Sequence, residues 1–355
     1  MTHGAKSTLQ SEKFALVQAL RGVAAVWVML HHAFWGKHVE HLYKSLPSIV
    51  SNTVFLYGFF GVQIFFVLSG FIIAYSIRNK EVTPRFFRDF VIKRSIRLDP
   101  AYWAAIAFAI AMSAISAEVG NRSFQPPSVV DLLSHLTYTQ AFFGHLYSIS
   151  GVFWTLTYEV QFYLALVLLV MFFQLLAKKL GSISSGLLVF GAMYVVAWIW
   201  GVFIHADNSV GFFYVNWYGF FIGALAYWSA SRKYLLFPFW VLIVGLVLSE
   251  RDVSQVCALT AVVLHVALRT GHIVRSMSFA PIQFVGTISY SLYLTHTQVQ
   301  GASMNLLYRY IPRTAIGEAF ALALSAVCCV AVASLFWWII ERPSHNLAKR
   351  FGRSS

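Results

Sequence analysis

The sequence contains few charged residues for its length. Of its 355 residues, 11% are charged and 59% are hydrophobic, whereas soluble globular proteins carry about 25% charged residues. A chain of 40.0 kDa with so little charge could not cover a water-facing surface. This shortage excludes a soluble enzyme, a disordered protein and a coiled coil, and the mean hydropathy of +0.68 indicates an integral membrane protein.

Acidic residues are scarcer still, with 13 Asp and Glu against 26 Lys and Arg, so the formal net charge is +13. In a soluble protein such an excess would suggest nucleic-acid binding. In a membrane protein, basic residues instead hold loops on the cytoplasmic side. We therefore expect membrane lipids, and no nucleic acid, among the partners of this chain.

Cysteine is also rare, and its placement excludes two further classes. Cys257, Cys328 and Cys329 all lie inside apolar runs, and the sequence has no CxxC spacing. Neither a disulfide framework nor a structural zinc site is expected, and no metal is predicted. The three residues are predicted to pack between helices as small apolar side chains.

Apolar segments long enough to cross a membrane dominate the chain. A spanning helix needs about 20 apolar residues, with a range of about 17 to 25. The sequence contains ten candidates, at roughly 14–35, 54–77, 101–117, 152–177, 187–204, 211–230, 234–248, 253–268, 282–304 and 315–340. We predict an all-α membrane protein that forms a single domain over 1–355, with no separate soluble domain.

The basic residues predict how these spans are oriented. With the amino terminus in the cytoplasm, the inner regions hold 19 Lys and Arg and the outer regions hold 6. This bias favours a topology in which both termini are cytoplasmic. The segment 129–147 is interrupted by Asp131 and His135, and it is predicted to be a loop or a re-entrant piece.

The first span contains Arg21 together with His31 and His32. Arg21 and His32 are eleven positions apart, which is close to three helical turns, so both side chains are expected on one face. His31 is turned by about 100° to another face. Charged and polar side chains at membrane depth are costly and indicate function, although the histidines would also suit the outer interface.

A basic stretch from Arg78 to Arg97 precedes the third predicted span. Arg94 and Arg97 are separated by three positions, so on a helix they are neighbours and can form a two-pronged anion site. The alternative is that this stretch is only an orientation signal. Asp99 follows closely and is expected to weaken an anion site.

Two later spans contain further polar groups. Glu159 has no basic neighbour in the sequence, so it must either pair across helices, with Arg21 as one partner, or be protonated. The ninth span contains a band of hydroxyl groups that ends at His296. Hydroxyl groups are common in helix packing, so both a packing role and a site role stay open for His296.

These segments occur in the same order as the motifs of a known family. The sequence resembles the integral-membrane acyltransferase-3 superfamily, which acylates bacterial surface polysaccharides. The resemblance runs nearly end to end, and the segments that carry it are LQALRGVAAVWVMLHH, FFGVQIFFVLSGFIIAYS, KRSIRLDPAYW, FWTLTYEVQFYL, ISYSLYLTH and ERP at 341–343. Each motif is weak alone, but six in the family order are specific.

The resemblance implies the short form of the family, without the hydrolase-like soluble domain of some members. It also implies an enzyme of the bacterial plasma membrane. Such an enzyme takes an acyl group, acetyl in the simplest case, from cytoplasmic acyl-CoA as co-substrate. It transfers that group to a hydroxyl of a cell-surface or exported polysaccharide, or of a lipid-linked glycan.

The matching motifs suggest roles for individual residues. His32 would act as general base or become acylated itself. Glu159 would orient the imidazole or hold the acceptor, and Arg21 would stabilise the oxyanion or bind the donor arm. The remaining candidates are Arg94, Arg97 and Lys93 for the CoA phosphates, and His296, Tyr290 and Trp154 for the acceptor.

Two other functions fit the same pattern. A transporter or flippase of lipid-linked saccharides also needs charges at membrane depth, but it would more often show internal repeats, which this sequence lacks. An acyltransferase acting on a small molecule or an amine would use the same site. The outer loops at 36–53 and 118–151 contain nothing that distinguishes these acceptors.

Overall fold

The computed structural model describes residues 14–204 and 211–351. Within these residues every regular element is helical, as the hydropathy predicts. The termini, which are predicted to be cytoplasmic, lie outside the described residues. The helices are α1 Ala15–Trp35, α2 Glu40–Ser45, α3 Ser48–Val54, α4 Gly61–Ser76, α5 Pro84–Val119, α6 Val129–Leu136, α7 Trp154–Leu180, α8 Ser182–Trp198, α9 Trp217–Ser231, α10 Leu236–Leu248, α11 Asp252–Thr270, α12 Ala280–Thr287, α13 Ser289–Leu307, α14 Ala315–Phe336 and α15 Arg342–Phe351.

Each of the ten predicted spans coincides with at least one of these helices. Seven segments of the described chain are both long and apolar enough to cross a membrane, and Lys233–Leu248 is a shorter apolar helix. The segment α13 is not among the seven because Ser, Thr, His and Gln side chains lower its hydropathy. Many of these polar side chains are buried inside the protein, where neighbouring helices satisfy them.

The basic stretch before the third predicted span is helical, so the helix that contains this span begins well before the predicted start of the span near residue 101. The helix α5 begins at Pro84 and runs for 36 residues, about 54 Å at 1.5 Å per residue. Thr83 caps it by accepting a hydrogen bond from the amide of Phe86, and proline is well suited to the first helical turn. Arg94 and Arg97 therefore lie on the same helix as the apolar residues that follow.

The segment 129–147 forms the short helix α6 followed by turns. Its amino terminus is a capping box, in which Ser128 accepts from the amide of Asp131 while the Asp131 carboxylate accepts from Ser128. The hydrogen bonds from Ser128 favour the charged carboxylate and lower the pKa of Asp131 to about 2. An eight-residue helix is too short to span a membrane, which agrees with the sequence prediction.

Glycines allow the central helices α4 and α9 to approach closely. A Cβ atom added at Gly70 would lie 1.8 Å from the carbonyl oxygen of Phe220, and one added at Gly223 would lie 2.0 Å from that of Val67. Neither position has room for a side chain. Small residues of this kind let helix backbones meet where lipid provides no hydrophobic driving force.

A similar contact joins α1 to α12. A Cβ atom at Gly286 would lie 2.1 Å from the carbonyl oxygen of Gln18, and Gly22 faces the amide of Gly286. The Gln18 amide also donates a 3.0 Å hydrogen bond to Thr287. This contact places α1 beside the break between α12 and α13.

At the end of α1 opposite Ala15, a buried carboxylate holds a loop in place. Glu318 of α14 lies 2.9 Å from Nδ1 of His41 and accepts a 2.8 Å hydrogen bond from the amide of Leu42, and Arg313 lies 3.6 Å away. These contacts fasten α2 to α14.

The cysteines pack as small apolar side chains only in part. Cys257 and Cys329 are buried, whereas Cys328 is exposed on α14. The prediction of interhelical packing is therefore wrong for Cys328, because adjacent helical residues point about 100° apart.

We predict that Gly223→Ala destabilises the protein, because the new methyl group would overlap the carbonyl oxygen of Val67. Overpacking of this kind costs about 1–3 kcal/mol. Gly191→Ala on α8 is the control, since a Cβ there meets no atom within 4 Å. The measurement is the thermal unfolding midpoint in detergent, and equal midpoints for the two variants would contradict the close contact.

Candidate active site

A cavity of about 60 Å³ lies among α1, α4, α5, α7 and α13, which is below the range of about 300–1,000 Å³ that is typical of small-molecule sites. Its lining is unusually polar for an interior at membrane depth. The polar residues that line it are Arg21, Arg94, Arg97, Thr155, Glu159, Tyr163, Ser289, Tyr290, Tyr293 and Glu341.

Two of the three arginines come from one turn of α5. Arg94 and Arg97 both line the cavity, as their spacing predicts. The guanidinium of Arg94 lies over the Tyr163 ring at 4.7 Å and over the Phe90 ring at 5.5 Å, and such cation–π contacts hold a buried cation in place. The adjacent Lys93 is exposed and does not line the cavity, so the structure does not group it with the two arginines.

Glu159 enters the cavity from the first turns of α7. Its carboxylate accepts hydrogen bonds from the hydroxyl groups of Ser69, at 2.5 Å, and of Tyr163. Tyr163 follows Glu159 by four residues, so the two side chains lie on one face of α7. Hydrogen bonds to the charged form stabilise a carboxylate in an interior.

Arg21 occupies the opposite side of the same cavity. Its Nε donates a 3.3 Å hydrogen bond to Ser289, the first residue of α13, and its guanidinium lies 5.9 Å from the centre of the Phe65 ring. Within the described residues no ion pair joins Arg21 to Glu159, although both line the cavity. The structure therefore does not contain the structural ion pair between Arg21 and Glu159 that the sequence left open.

Glu341 lines the cavity, although in the sequence it stands out only as the first residue of the ERP motif, with no predicted role in the site. It closes a five-residue π-helical segment, Trp337–Glu341, after α14, and it accepts a 2.6 Å hydrogen bond from Ser291. A single-turn π segment inside a helix often marks a functional position. The feature of the sequence that could have indicated a site role for Glu341 is that this carboxylate directly follows the last apolar run.

The charges in this cavity are unequal. With all five ionised, three guanidinium groups face two carboxylates, so the lining has one uncompensated positive charge. A charge in a low-dielectric interior needs a partner or strong solvation. The cavity is therefore suited to an anionic ligand. Asp99 does not line it, because Asp99 accepts hydrogen bonds from Ser95 and Tyr138.

His32 lies outside the cavity and faces α13 at a different level. Its Nδ1 is 3.2 Å from Nε2 of His296, and the two rings are 4.9 Å apart. Arg21 and His32 both contact α13, at Ser289 and His296, which confirms that they share one face of α1. His31 points elsewhere, with its Nδ1 3.0 Å from the carbonyl oxygen of Phe55.

Tyr293 connects the two polar regions. Its ring lines the cavity and lies 5.9 Å from the ring of His296, and its hydroxyl interacts with that of Thr155 at 3.0 Å. Phe65 packs edge-on against Tyr293 at 5.6 Å. Tyr293 thus contacts both the arginine-lined cavity and His296, and Phe65 packs against it on the cavity side.

The three residues predicted for the acceptor are in different places. Tyr290 lines the cavity, and its hydroxyl donates a 3.3 Å hydrogen bond to the carbonyl of Leu98. His296 is buried against His32. Trp154 lines neither region, because it packs edge-on against Phe66 and Tyr158.

A cavity with a polar, cationic lining and a nearby histidine pair is an arrangement that can hold an anionic reactant at membrane depth. A family model described as an acyltransferase domain matches residues 15–340. The chain belongs to the acyltransferase-3 superfamily. The protein is thus a multi-pass membrane acyltransferase, and the resemblance that the sequence motifs indicated is confirmed.

Two curated proteins are similar in sequence to this acyltransferase. This acyltransferase is 26% identical to nodulation protein 10 of Rhizobium leguminosarum bv. viciae over 364 residues, which cover 92% of each chain. It is 27% identical to regulator of hypoxia-inducible factor 1 of Caenorhabditis elegans over 178 residues, which cover 44% of this chain and 34% of that protein. No solved structure matches it.

We predict that Glu159→Ala lowers the stability of this acyltransferase by about 1.5–3 kcal/mol, the range for hydrogen bonds to a charged group. The change would leave the hydroxyl groups of Ser69 and Tyr163 without their acceptor. Glu118→Ala is the matched control, because Glu118 is exposed on α5. The measurement is denaturant or thermal unfolding in detergent, and an unchanged midpoint for Glu159→Ala would contradict this account.

Proposed function

We propose that the protein transfers an acyl group, most simply acetyl, from cytoplasmic acyl-CoA to a hydroxyl of a cell-surface or exported polysaccharide. The enzyme would lie in the bacterial plasma membrane with both termini in the cytoplasm. The observation that carries this proposal is the convergence of Arg21, Arg94 and Arg97 on one cavity, with His32 outside it.

The arginine-lined cavity supports an anionic acyl donor. CoA carries several phosphate charges, and arginine binds phosphate through a planar, two-pronged contact. The flexible pantetheine arm that follows these phosphates could carry a thioester towards Tyr293. The level of Arg21 and that of His32 differ by about 16 Å along α1, a distance suited to such an arm.

His32 supports the chemistry at the other end of the arm. As the acceptor hydroxyl attacks the thioester carbonyl, the imidazole would take its proton. The carbon–sulfur bond then breaks, the ester forms and CoA leaves as the thiolate, which takes up the proton from the imidazolium. In the alternative route, the same lone pair would attack the thioester carbonyl, and CoA would leave as the thiolate. The acceptor hydroxyl would then attack the acyl-imidazole and release His32.

Membership of an acyltransferase superfamily disfavours the transporter or flippase alternative. An acyltransferase acting on a small molecule or an amine would use the same cavity and the same histidine. Mass spectrometry of the surface polysaccharide from a deletion strain distinguishes these acceptors. The polysaccharide should lack acyl groups only if the deleted protein is a polysaccharide acyltransferase.

His32→Ala is expected to abolish transfer while the protein still folds and inserts. His31→Ala is the matched control, because His31 faces Phe55 and Trp35 instead. The measurement is the turnover of radiolabelled acetyl-CoA by purified protein in liposomes with the polysaccharide acceptor. Turnover above about a tenth of wild type, a loss below about 1.4 kcal/mol, would exclude His32 as the base.

Replacing Arg94 and Arg97 together by Lys is expected to leave topology unchanged, because the positive charge is kept. Donor binding should weaken by about 1.5–3 kcal/mol, since lysine lacks the planar fork. The measurement is acetyl-CoA binding together with a cysteine-accessibility map of the loops.

The matched control for this double variant is Arg85→Lys with Arg88→Lys. These two arginines have the same three-residue spacing on the same helix but are exposed. Equal donor affinity in the two double variants would mean that Arg94 and Arg97 are orientation charges only.

A further inference from the structure

The pair formed by His32 and His296 has a defined arrangement of hydrogen-bond donors and acceptors. His296 is completely buried on α13, whereas His32 is only partly buried. A neutral imidazole donates through one ring nitrogen and accepts through the other, and its hydrogen-bond partners decide which. The partners of both rings are known here.

The partners of His296 identify its protonated nitrogen. Its Nδ1 lies 3.1 Å from the carbonyl oxygen of Leu292 and 2.9 Å from that of Tyr293. A carbonyl oxygen can only accept, so Nδ1 must carry the hydrogen. In the neutral ring, Nε2 of His296 is then an acceptor, and it is this atom that faces His32.

The same reasoning applies to His32. Its Nδ1 lies 2.8 Å from the carbonyl oxygen of Val28, so Nδ1 again carries the hydrogen. That N–H also faces Nε2 of His296 at 3.2 Å. A charged His296 would place two N–H groups against each other, so the contact requires a neutral His296. The lone pair of His32 is therefore on Nε2, and no hydrogen bond to Nε2 occurs within the described residues.

We propose that His296 is a positioning residue for His32. It shares the Nδ1–H of His32 with the carbonyl oxygen of Val28, and the two acceptors together orient the ring so that the Nε2 lone pair is free for the reacting groups. When Nε2 takes the proton of the acceptor hydroxyl, His32 becomes an imidazolium, and its Nδ1–H bond to His296 stabilises the new positive charge. This inference rests on the proposed function of His32, and it replaces the predicted contact of His296 with the acceptor.

The position of Glu159 supports this assignment. A carboxylate that orients a histidine must accept from its ring, and Glu159 was the candidate in the sequence. The structure instead binds Glu159 to Ser69 and Tyr163 in the cavity. His296 is thus the side chain that is in place to accept from His32, beside the carbonyl oxygen of Val28. A neutral acceptor also avoids a second buried charge beside the reacting groups.

His296 is held rigidly in this position. Its own Nδ1–H is bound by two carbonyl groups of its helix, and its ring packs against Tyr293 as well as His32. A preorganised acceptor needs no rearrangement when the charge on His32 appears. Loss of such an acceptor should therefore reduce the rate of the chemical step more than the affinity for the donor, which binds elsewhere.

Three substitutions separate positioning from packing. In His296→Gln, an amide oxygen can lie near the former Nε2 and accept from His32. In His296→Asn, the shorter side chain can replace the Nδ1 donor of His296 but cannot reach the position of the Nε2 acceptor. His296→Ala lacks both the donor and the acceptor. We expect kcat to stay within about threefold of wild type for Gln and to fall about 10- to 100-fold for Asn and Ala, with the KM for acetyl-CoA unchanged.

A spectroscopic measurement on the unsubstituted protein tests the hydrogen bond directly. With ¹⁵N-labelled histidine, magnetic resonance should detect a coupling across the hydrogen bond between Nδ1 of His32 and Nε2 of His296. The spectrum should also contain an unprotonated Nε2 for His32, and the His32→Ala variant assigns its signals. This measurement does not require that any variant at position 296 folds.

The outcomes for the two proposals are distinct. Absence of the coupling, or equal loss of kcat in the Gln, Asn and Ala variants, would overturn the positioning role and leave the proposed function intact. Full transfer activity in His32→Ala would overturn the role of His32 as base, whether or not the coupling is present, whereas absence of acyl transfer by the unsubstituted protein would overturn the proposed function itself. Rescue by Gln together with the coupling supports both.

Discussion

A charged group at membrane depth must be solvated by the protein, because hydrocarbon provides neither hydrogen bonds nor counter-charges. The arrangement of the helices satisfies this requirement. Glu159 is held by two hydroxyl groups, Arg94 by aromatic rings, and Arg21 by the first residue of a helix that is broken beside it. Glu341 is placed by a π segment. The helix break before Ser289 and the π segment that ends at Glu341 thus both lie beside charges of the cavity.

The close helix contacts serve the same end. Gly70 and Gly223 bring α4 against α9, and Gly286 brings α12 against α1. These contacts allow side chains from distant parts of the chain to reach one cavity. The length of α5 has a comparable effect, because a helix of 36 residues carries two arginines from the basic stretch into the interior. The close helix contacts and the length of α5 therefore decide which polar side chains reach the cavity.

The polar interior is divided into two regions of different character. The cavity contains three arginines and two glutamates, and in the proposed mechanism it would hold an anion, whereas the histidine pair would carry out proton transfer. The ring of Tyr293 contacts both regions. Such a division keeps the guanidinium groups away from the imidazole that would have to take up a proton, since nearby positive charge favours an anionic ligand but disfavours formation of the imidazolium.

Local patterns in the chain are sufficient to predict the helical membrane fold, the shared face of Arg21 and His32, and the pairing of Arg94 with Arg97. Each depends on hydropathy or on helical periodicity, which are properties of one segment. The tertiary structure alone decides that Glu341 joins the cavity, that Lys93 and Trp154 do not, and that His296 contacts His32. Periodicity specifies which face of a helix a residue occupies, but the partner of that face depends on packing between segments that are hundreds of residues apart.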